Sequence, residues 1–518
     1  MIPDGTSLAT YSSARWYQWY NNPDKPNLNI DPYICGTVLT FCAAAPIGDS
    51  APTTSCYMTG VPSSPGYVST YPIANKTNDI FPLDPDKAYQ PLMTILEAAK
   101  IGKNMSTGLV FTCEFTHATP ADCAAHSYNR SKYEWIAPQM AHNNIDVVLG
   151  GGVKTMTEAC ADYLRNEGYG LFINDIEGFN SYQGNKIWSL FCDYDMPYDL
   201  DRDPVLYPSL AEMTSKAIQK LSSNNNGFFL MVEGSKIDWA AHANDPIAMI
   251  TETLAFDEAC GVAFDFARQN GETIVIMVSD HGNSGISIGS VRCNNYTSLT
   301  KADLFGPVSK YKMTADGLIK KIQQTESNNL IALFEENMGI RLSDEELKSI
   351  VTCSDYSKST LSNDERMKGS KLTKIVSHIL NEKTCFGFTT YGHTGEEVLL
   401  AVYDPTGNRP EGFIRNFDLT DYMHKSIDLP QSLETYTSTY FAKHTDVFTG
   451  LKYSIIESKV KGELPFLEVK WKKNKLQVKP NTNIVTLNGK EVKLNSVIVY
   501  VDKNNTFYLP QSLRELIM

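Results

Sequence analysis

GlyPhePheLeuMetValGluGlySerLysIleAspTrpAlaAlaHis, residues 227–242, joins an unbroken apolar run to an acidic residue at its end and a pair of ligand-type side chains just beyond. Continuous apolarity from Phe228 to Val232 suits a strand buried on both faces, because alternation disappears when neither side meets water. The same design recurs at 108–115 (GlyLeuValPheThrCysGluPhe), 145–152 (IleAspValValLeuGlyGlyGly) and 273–280 (ThrIleValIleMetValSerAsp). Each run leads into a loop rich in Gly, Ser, Asp or His and then into helical pattern. Such alternation predicts an α/β fold with a mostly parallel central sheet flanked by helices on both faces. Ligands of these sheets bind at the carboxyl ends of the strands, and Glu233, Asp280 and the 117–119 segment all fall there.

The 518 residues exceed one typical core, so a large domain with an appended module is expected. Residues 1–447 are read as the catalytic domain, with a helical insertion or cap at 286–391. Within that cap, Ser343 and Glu346 have capping-box spacing. From about Phe448 the pattern turns to short alternating strands, and AsnGly at 488–489 marks a hairpin, giving a small β-rich module over 448–518. A net charge of -13 argues against a general nucleic-acid binder. Eleven cysteines between Cys35 and Cys385, with no CxxC pair, suggest buried thiols rather than a disulfide framework or a structural zinc cluster. No run of about 18 apolar residues occurs, so no membrane span is expected. The chain opens MetIleProAspGly without an export signal, and its natural product is expected to begin upstream with a complete first strand.

On a helix, Asp238 and His242 stand one above the other. Asp280 and His281 can converge only where a strand ends and the chain turns, since successive strand residues face opposite ways. TyrGlyHisThrGly (391–395) adds His393, and Asp4 ends what reads as a strand cut short. Two ligand sets result: Asp238, His242 and His393 around one ion, and Asp4, Asp280 and His281 around another. Mixed oxygen and nitrogen donors suit zinc, and paired ions can clamp both oxygens of a phosphoryl transfer. A nucleophilic hydroxyl belongs at a helix start, where amide N–H groups favour anions. Ser50 meets that need, with Asp49 beside it to orient a cation. Arg130 supplies the cation, expected on a helix that Thr119 caps and Pro120 begins, running about three turns. A guanidinium grips two phosphoryl oxygens at once. Thr119 and Glu233 suit a harder third ion, magnesium. His126, Thr53, Ser55, Cys56 and Cys123 are read as packing or hydrogen-bonding residues, and His142, His378, His424 and His444 as polar contacts without ligand partners.

In this order and spacing, AspGly (4–5), AspSerAla (49–51), HisAlaThrPro (117–120) with Arg130, ValGluGly with Asp238 and His242, SerAspHis (279–281) and HisThrGlyGlu (393–396) resemble the alkaline phosphatases. The resemblance covers most of residues 1–402. It implies a phosphomonoesterase with two Zn2+ and one Mg2+, acting on small phosphorylated substrates at alkaline pH through a phosphoserine at Ser50. Arg130 would hold the phosphoryl group, and the metal near Asp238 would activate the water that cleaves the intermediate. His117 and Trp239 look like the variants of one bacterial branch, contacting phosphate or magnesium through water. Location outside the cytoplasm, in the periplasm or beyond, is implied too, and a homodimer is compatible with the resemblance. Pro3, Pro52 and the absence of the strand that normally precedes Asp4 depart from the family's pattern. The rival readings are a phosphodiesterase of the same superfamily and a non-catalytic metal- or phosphate-binding protein inactivated by its truncated N-terminus. A sulfatase is disfavoured because no CysXProXArg motif occurs.

Overall fold

The computed structural model describes residues 1–518 except Ser359 and Lys461. Its parallel central sheet has six strands in the order Ile2–Pro3, Phe228–Gly234, Ser106–Glu114, Val147–Gly151, Ile187–Leu190 and Gly170–Ile173, with helices flanking it. The chain separates into two compact units, one of Met1–Thr40, Met196–Ser215 and Val232–Ile414, the other of Phe41–Asp195, Lys216–Met231 and Arg415–Met518.

In the first unit the strand before Asp4 is present but only two residues long, with Ile2 beside Glu233 and Pro3 beside Gly234 in parallel register. The Val278 N–H donates to the Met1 carbonyl (3.1 Å), and the Met1 ammonium donates to the Ile276 carbonyl (2.9 Å). The run at 273–280 narrows to Val275–Val278 and corrects one expectation. It pairs antiparallel with Val398–Tyr403, which pairs antiparallel with Ile34–Leu39, in a second sheet of four strands. Unbroken apolarity reports burial on two faces and carries no information about strand direction.

Among the described residues, the segment between these strands holds six α-helices from Lys301 to Glu382, and Ser343 and Glu346 form the expected capping box. A disulfide joins Cys293 to Cys385 across 92 residues, next to the antiparallel pairing of Ser287–Ile288 with Phe386–Gly387. One pair is no framework, and sequence spacing could not reveal it. Among the described residues the other nine cysteines form no disulfide.

In the second unit, Gly108–Val110 lies beside Val147–Leu149, and Val147–Gly150 beside Ile187–Leu190, all in parallel. A Cβ at Gly150 would come within 2.3 Å of the Phe111 ring, so the close approach requires glycine. Further along, Lys452–Ile456, Phe466–Trp471, Asn474–Val478, Ile484–Leu487 and Lys490–Lys493 form an antiparallel meander. Leu467, Val469, Leu476, Val478 and Val485 bury one face of it with Phe507, Leu513 and Ile517. Asn488 and Gly489 both have positive φ (53° and 83°), the backbone of a two-residue hairpin turn. Among the described residues no helix is long and apolar enough to cross a membrane.

Candidate active site

In the first unit, Glu233 ends its strand, and two residues later the helix Lys236–Ala243 begins. That helix puts Asp238 and His242 on one face, with His242 Nε2 3.4 Å from Asp238 Oδ2. His393 comes from another element, a two-residue antiparallel ladder in which it lies opposite Asn283. Its Nε2 is 3.0 Å from His242 Nε2 and 3.6 Å from Asp238 Oδ1. His281 Nε2 is 3.5 Å from Asp4 Oδ1 and 3.4 Å from Asp280 Oδ2. Two groups therefore have ligand atoms within 4.8 Å of one another: Asp238, His242 and His393, and Asp4, Asp238 and His281. Asp238 belongs to both. Asp280 completes the second neighbourhood through His281.

The loop after Asp4 is stitched to the turn at 279–281. Gly5 N–H donates to Asp280 Oδ1 (3.0 Å), and Thr6 N–H donates to Ser279 Oγ (2.8 Å). Gly5 has φ of +60°, and a Cβ there would lie 2.2 Å from Asp238 Oδ1. Only glycine allows this approach.

Carbonyl contacts fix two imidazole tautomers. His242 Nδ1 lies 2.7 Å from the Tyr391 carbonyl and His281 Nδ1 3.1 Å from the Gly282 carbonyl, so each Nδ1 bears a proton and donates. In the neutral rings each Nε2 then presents its lone pair towards buried carboxylates. A cation among them, a proton on Nε2 or a metal ion, offsets the repulsion between those lone pairs and the carboxylate oxygens. Burial, then the charges of Asp280, Asp238 and Glu233, push the Asp4 carboxyl well above the usual range. Burial also works against ionisation of Asp238, but His242, His393 and His281 together hold it below the usual range. Asp280 Oδ2 is buried and makes no hydrogen bond. This donor set fits divalent cations bound by oxygen and imidazole.

In the second unit Ser50 is buried at the first position of the helix Ser50–Thr59, with Asp49 as its N-cap residue in extended conformation. The Arg130 guanidinium donates from Nη1 to Asp49 Oδ1 (2.9 Å) and from Nη2 to His117 Nε2 (3.0 Å). Since guanidinium can only donate, His117 Nε2 accepts and the proton sits on Nδ1. The helix expected to run from Thr119 to Arg130 is shorter and starts earlier: it spans Ala118–Ala124 with His117 as N-cap residue. Ala125 turns extended, and Ser127 exchanges backbone hydrogen bonds with Val68 (2.7 and 3.0 Å), so Arg130 is delivered by a loop. Tertiary pairing overrides helical pattern here. Thr119 lies inside the helix, its buried hydroxyl without a hydrogen-bond partner.

Trp239 is buried on the Asp238 helix, and the Lys236 ammonium lies 4.9 Å from its ring centroid. His126 is packed as expected, bound to the Ser69 carbonyl (3.0 Å) and Glu97 (3.1 Å). Sequence reasoning missed Asn283, whose Nδ2 donates to Asp238 Oδ1 (2.7 Å), and Ser7, which donates to Glu396 Oε1 (2.5 Å) and accepts from Asn283 N–H (3.2 Å). Glu396 stood in the motif HisThrGlyGlu, but no local signal marks Asn283.

A family model described as Alkaline phosphatase matches residues 1–429. Alkaline phosphatase 3 of Bacillus subtilis is 30% identical over 444 residues, which cover 82% of this chain and 88% of that protein. Alkaline phosphatase 4 of the same organism is 31% identical over 440 residues, covering 82% and 87%. Among solved structures, the cold-active alkaline phosphatase of a psychrophilic Shewanella superposes with a TM-score of 0.69 at 27% identity, covering 83% of this chain and 99% of that one. A mutant alkaline phosphatase of the Antarctic bacterium TAB5, described with Mg bound in its M3 site, shares the fold at 23% identity, with a TM-score of 0.55 and coverage of 83% and 97%.

Proposed function

Because the chain belongs to the alkaline phosphatase family, we propose that this phosphatase hydrolyses phosphate monoesters through a phosphoserine formed on Ser50. The Ser50 oxygen bonds to phosphorus as the bond to the departing alcohol breaks. A water oxygen then displaces Ser50, which regains its proton, and inorganic phosphate leaves. Arg130 grips two phosphoryl oxygens, kept in aim by its bonds to Asp49 and His117. The start of the ten-residue helix at Ser50 adds amide N–H groups that favour the anion.

Asp238, His242 and His393 would hold one zinc ion, and Asp4, Asp280 and His281 a second, with Asp238 near enough to serve both. Thr119 and Glu233 would hold magnesium, and His117 and Trp239 tune the surroundings. Bound there, the ions would lower the pKa of the attacking oxygens and offset charge on the leaving group. Motif order in the family supports reading Ser50 and Arg130 as parts of the same reaction as these ligands. The observation that carries the reading is the pair of carbonyl-fixed Nδ1 protons, which leave His242 and His281 Nε2 turned towards buried carboxylates.

We assign residues 1–447 to catalysis, with 286–391 as its cap, and 448–518 to a module outside it. The family match ending at residue 429 and the separate core from Val447 onwards support that division. Export from the cytoplasm is supported by the Cys293–Cys385 disulfide, a bond that persists in oxidising compartments. Hydrolysis of p-nitrophenyl phosphate with zinc and magnesium tests the mechanism. Ser50→Ala is expected to lower kcat by at least about a thousandfold. Equal turnover by variant and wild type would remove Ser50 from the reaction.

A further inference from the structure

The meander over 452–493 has a charge pattern that its own folding does not call for. Residues 448–518 contain twelve Lys and Arg against six Asp and Glu, whereas 1–447 contain 34 against 53. A basic module thus closes an acidic chain.

Strand register concentrates the excess. Lys452 lies directly opposite Lys470, and Lys470 directly opposite Lys475, so three lysines form a row across three adjacent strands. Neighbouring strands are about 4.8 Å apart, and like charges in directly opposed positions cost stability. Lys472 and Lys473 extend the row in the turn joining its last two strands. All five lysines are exposed. Glu468 answers two of them, at 2.9 Å from Lys470 and 2.7 Å from Lys475. Among the described residues, Lys452, Lys472 and Lys473 form no ion pair.

We propose that this lysine row is a docking strip for a linear polyanion, a role separate from phosphate-ester hydrolysis. Lysine ammoniums are compact point charges, so an all-lysine row reads charge density rather than the planar geometry that arginine recognises. The strip is one row wide, matching a thread of anions. No exposed large apolar side chain stands in the row to enter a bilayer. The strip lies beyond residue 429, where the family match ends, so nothing in hydrolysis requires it.

Fluorescence anisotropy with labelled dextran sulfate, a linear polyanion that a phosphatase does not cleave, tests the proposal on the full-length metal-loaded protein. Binding should weaken steeply as salt rises from roughly 50 to 200 mM. The triple variant Lys452→Glu, Lys472→Glu, Lys473→Glu should bind at least tenfold more weakly while hydrolysing p-nitrophenyl phosphate at the wild-type rate. Lys→Gln changes at the same three positions, which remove charge without reversing it, should fall between. Equal affinity for wild type and the glutamate triple, or no binding by wild type, overturns the proposal. So does binding to phosphatidylserine vesicles in the absence of dextran sulfate binding, which would make the strip a membrane contact.

Discussion

Asn283 orients Asp238 through a 2.7 Å bond to Oδ1 and a 3.2 Å bond to the main-chain carbonyl, while lying opposite His393 in the short ladder. Through Ser7 the hydrogen-bond chain continues to Glu396. Groups that orient metal ligands typically set affinity by 10–100-fold. With Asp238 as the proposed metal ligand, Asn283→Ala should weaken Zn2+ binding by about that factor, as measured by competition with a chromophoric chelator, and Asn283→Asp should weaken it more by adding a carboxylate beside Asp238. Unchanged affinity in both would reduce Asn283 to a packing residue. The ligand-type residues could be read from the sequence because Asp238 and His242 follow helical spacing and Asp280 and His281 end a strand. Asn283 could not. Its partner lies 45 residues away, and an asparagine in a loop is equally suited to a turn.

Element by element, local pattern was readable wherever local chemistry decides, as at the Ser343 capping box and the Asn488–Gly489 hairpin. It failed where distant contacts decide. The helix after His117 stops at Ala124 because Ser127 pairs with Val68, and the Val275–Val278 strand takes an antiparallel partner delivered more than a hundred residues later. The long helix Pro246–Asn270 carries a further consequence of burial. Burial, reinforced by the charge of Asp199, raises the Glu252 carboxyl to about 8 from an ordinary 4.5. Between those values the folded chain keeps a proton that the unfolded chain releases, so this group's contribution to stability falls as pH rises through the interval. Glu252→Gln should lessen that fall. Urea midpoints of both proteins at about pH 5 and about pH 8.5, with the same metal supply, measure the difference, and parallel shifts would rule out Glu252 as its source.

Across the whole molecule, the parallel central sheet follows from patterning through the runs at 108–115, 145–152 and 227–234, whereas the disulfide pairing does not, because Cys293 and Cys385 sit among eleven cysteines with no diagnostic spacing. Closing a loop of 92 residues restricts the unfolded chain by roughly 4.6 kcal/mol in chain-entropy terms. Cys293→Ser with Cys385→Ser should lower the thermal midpoint, and reductant should lower that of the wild type but not of the double variant; insensitivity of the wild type would show that the bond contributes nothing. The remaining thiols have a different use. Among the described residues, Cys42, Cys56, Cys113, Cys123 and Cys160 are buried thiols of one unit, and Cys260 is a buried thiol of the other. Each stays shielded from alkylating reagent until its surroundings open. Brief alkylation followed by mass spectrometry of the peptides would therefore time the opening of the two units separately, with no introduced label.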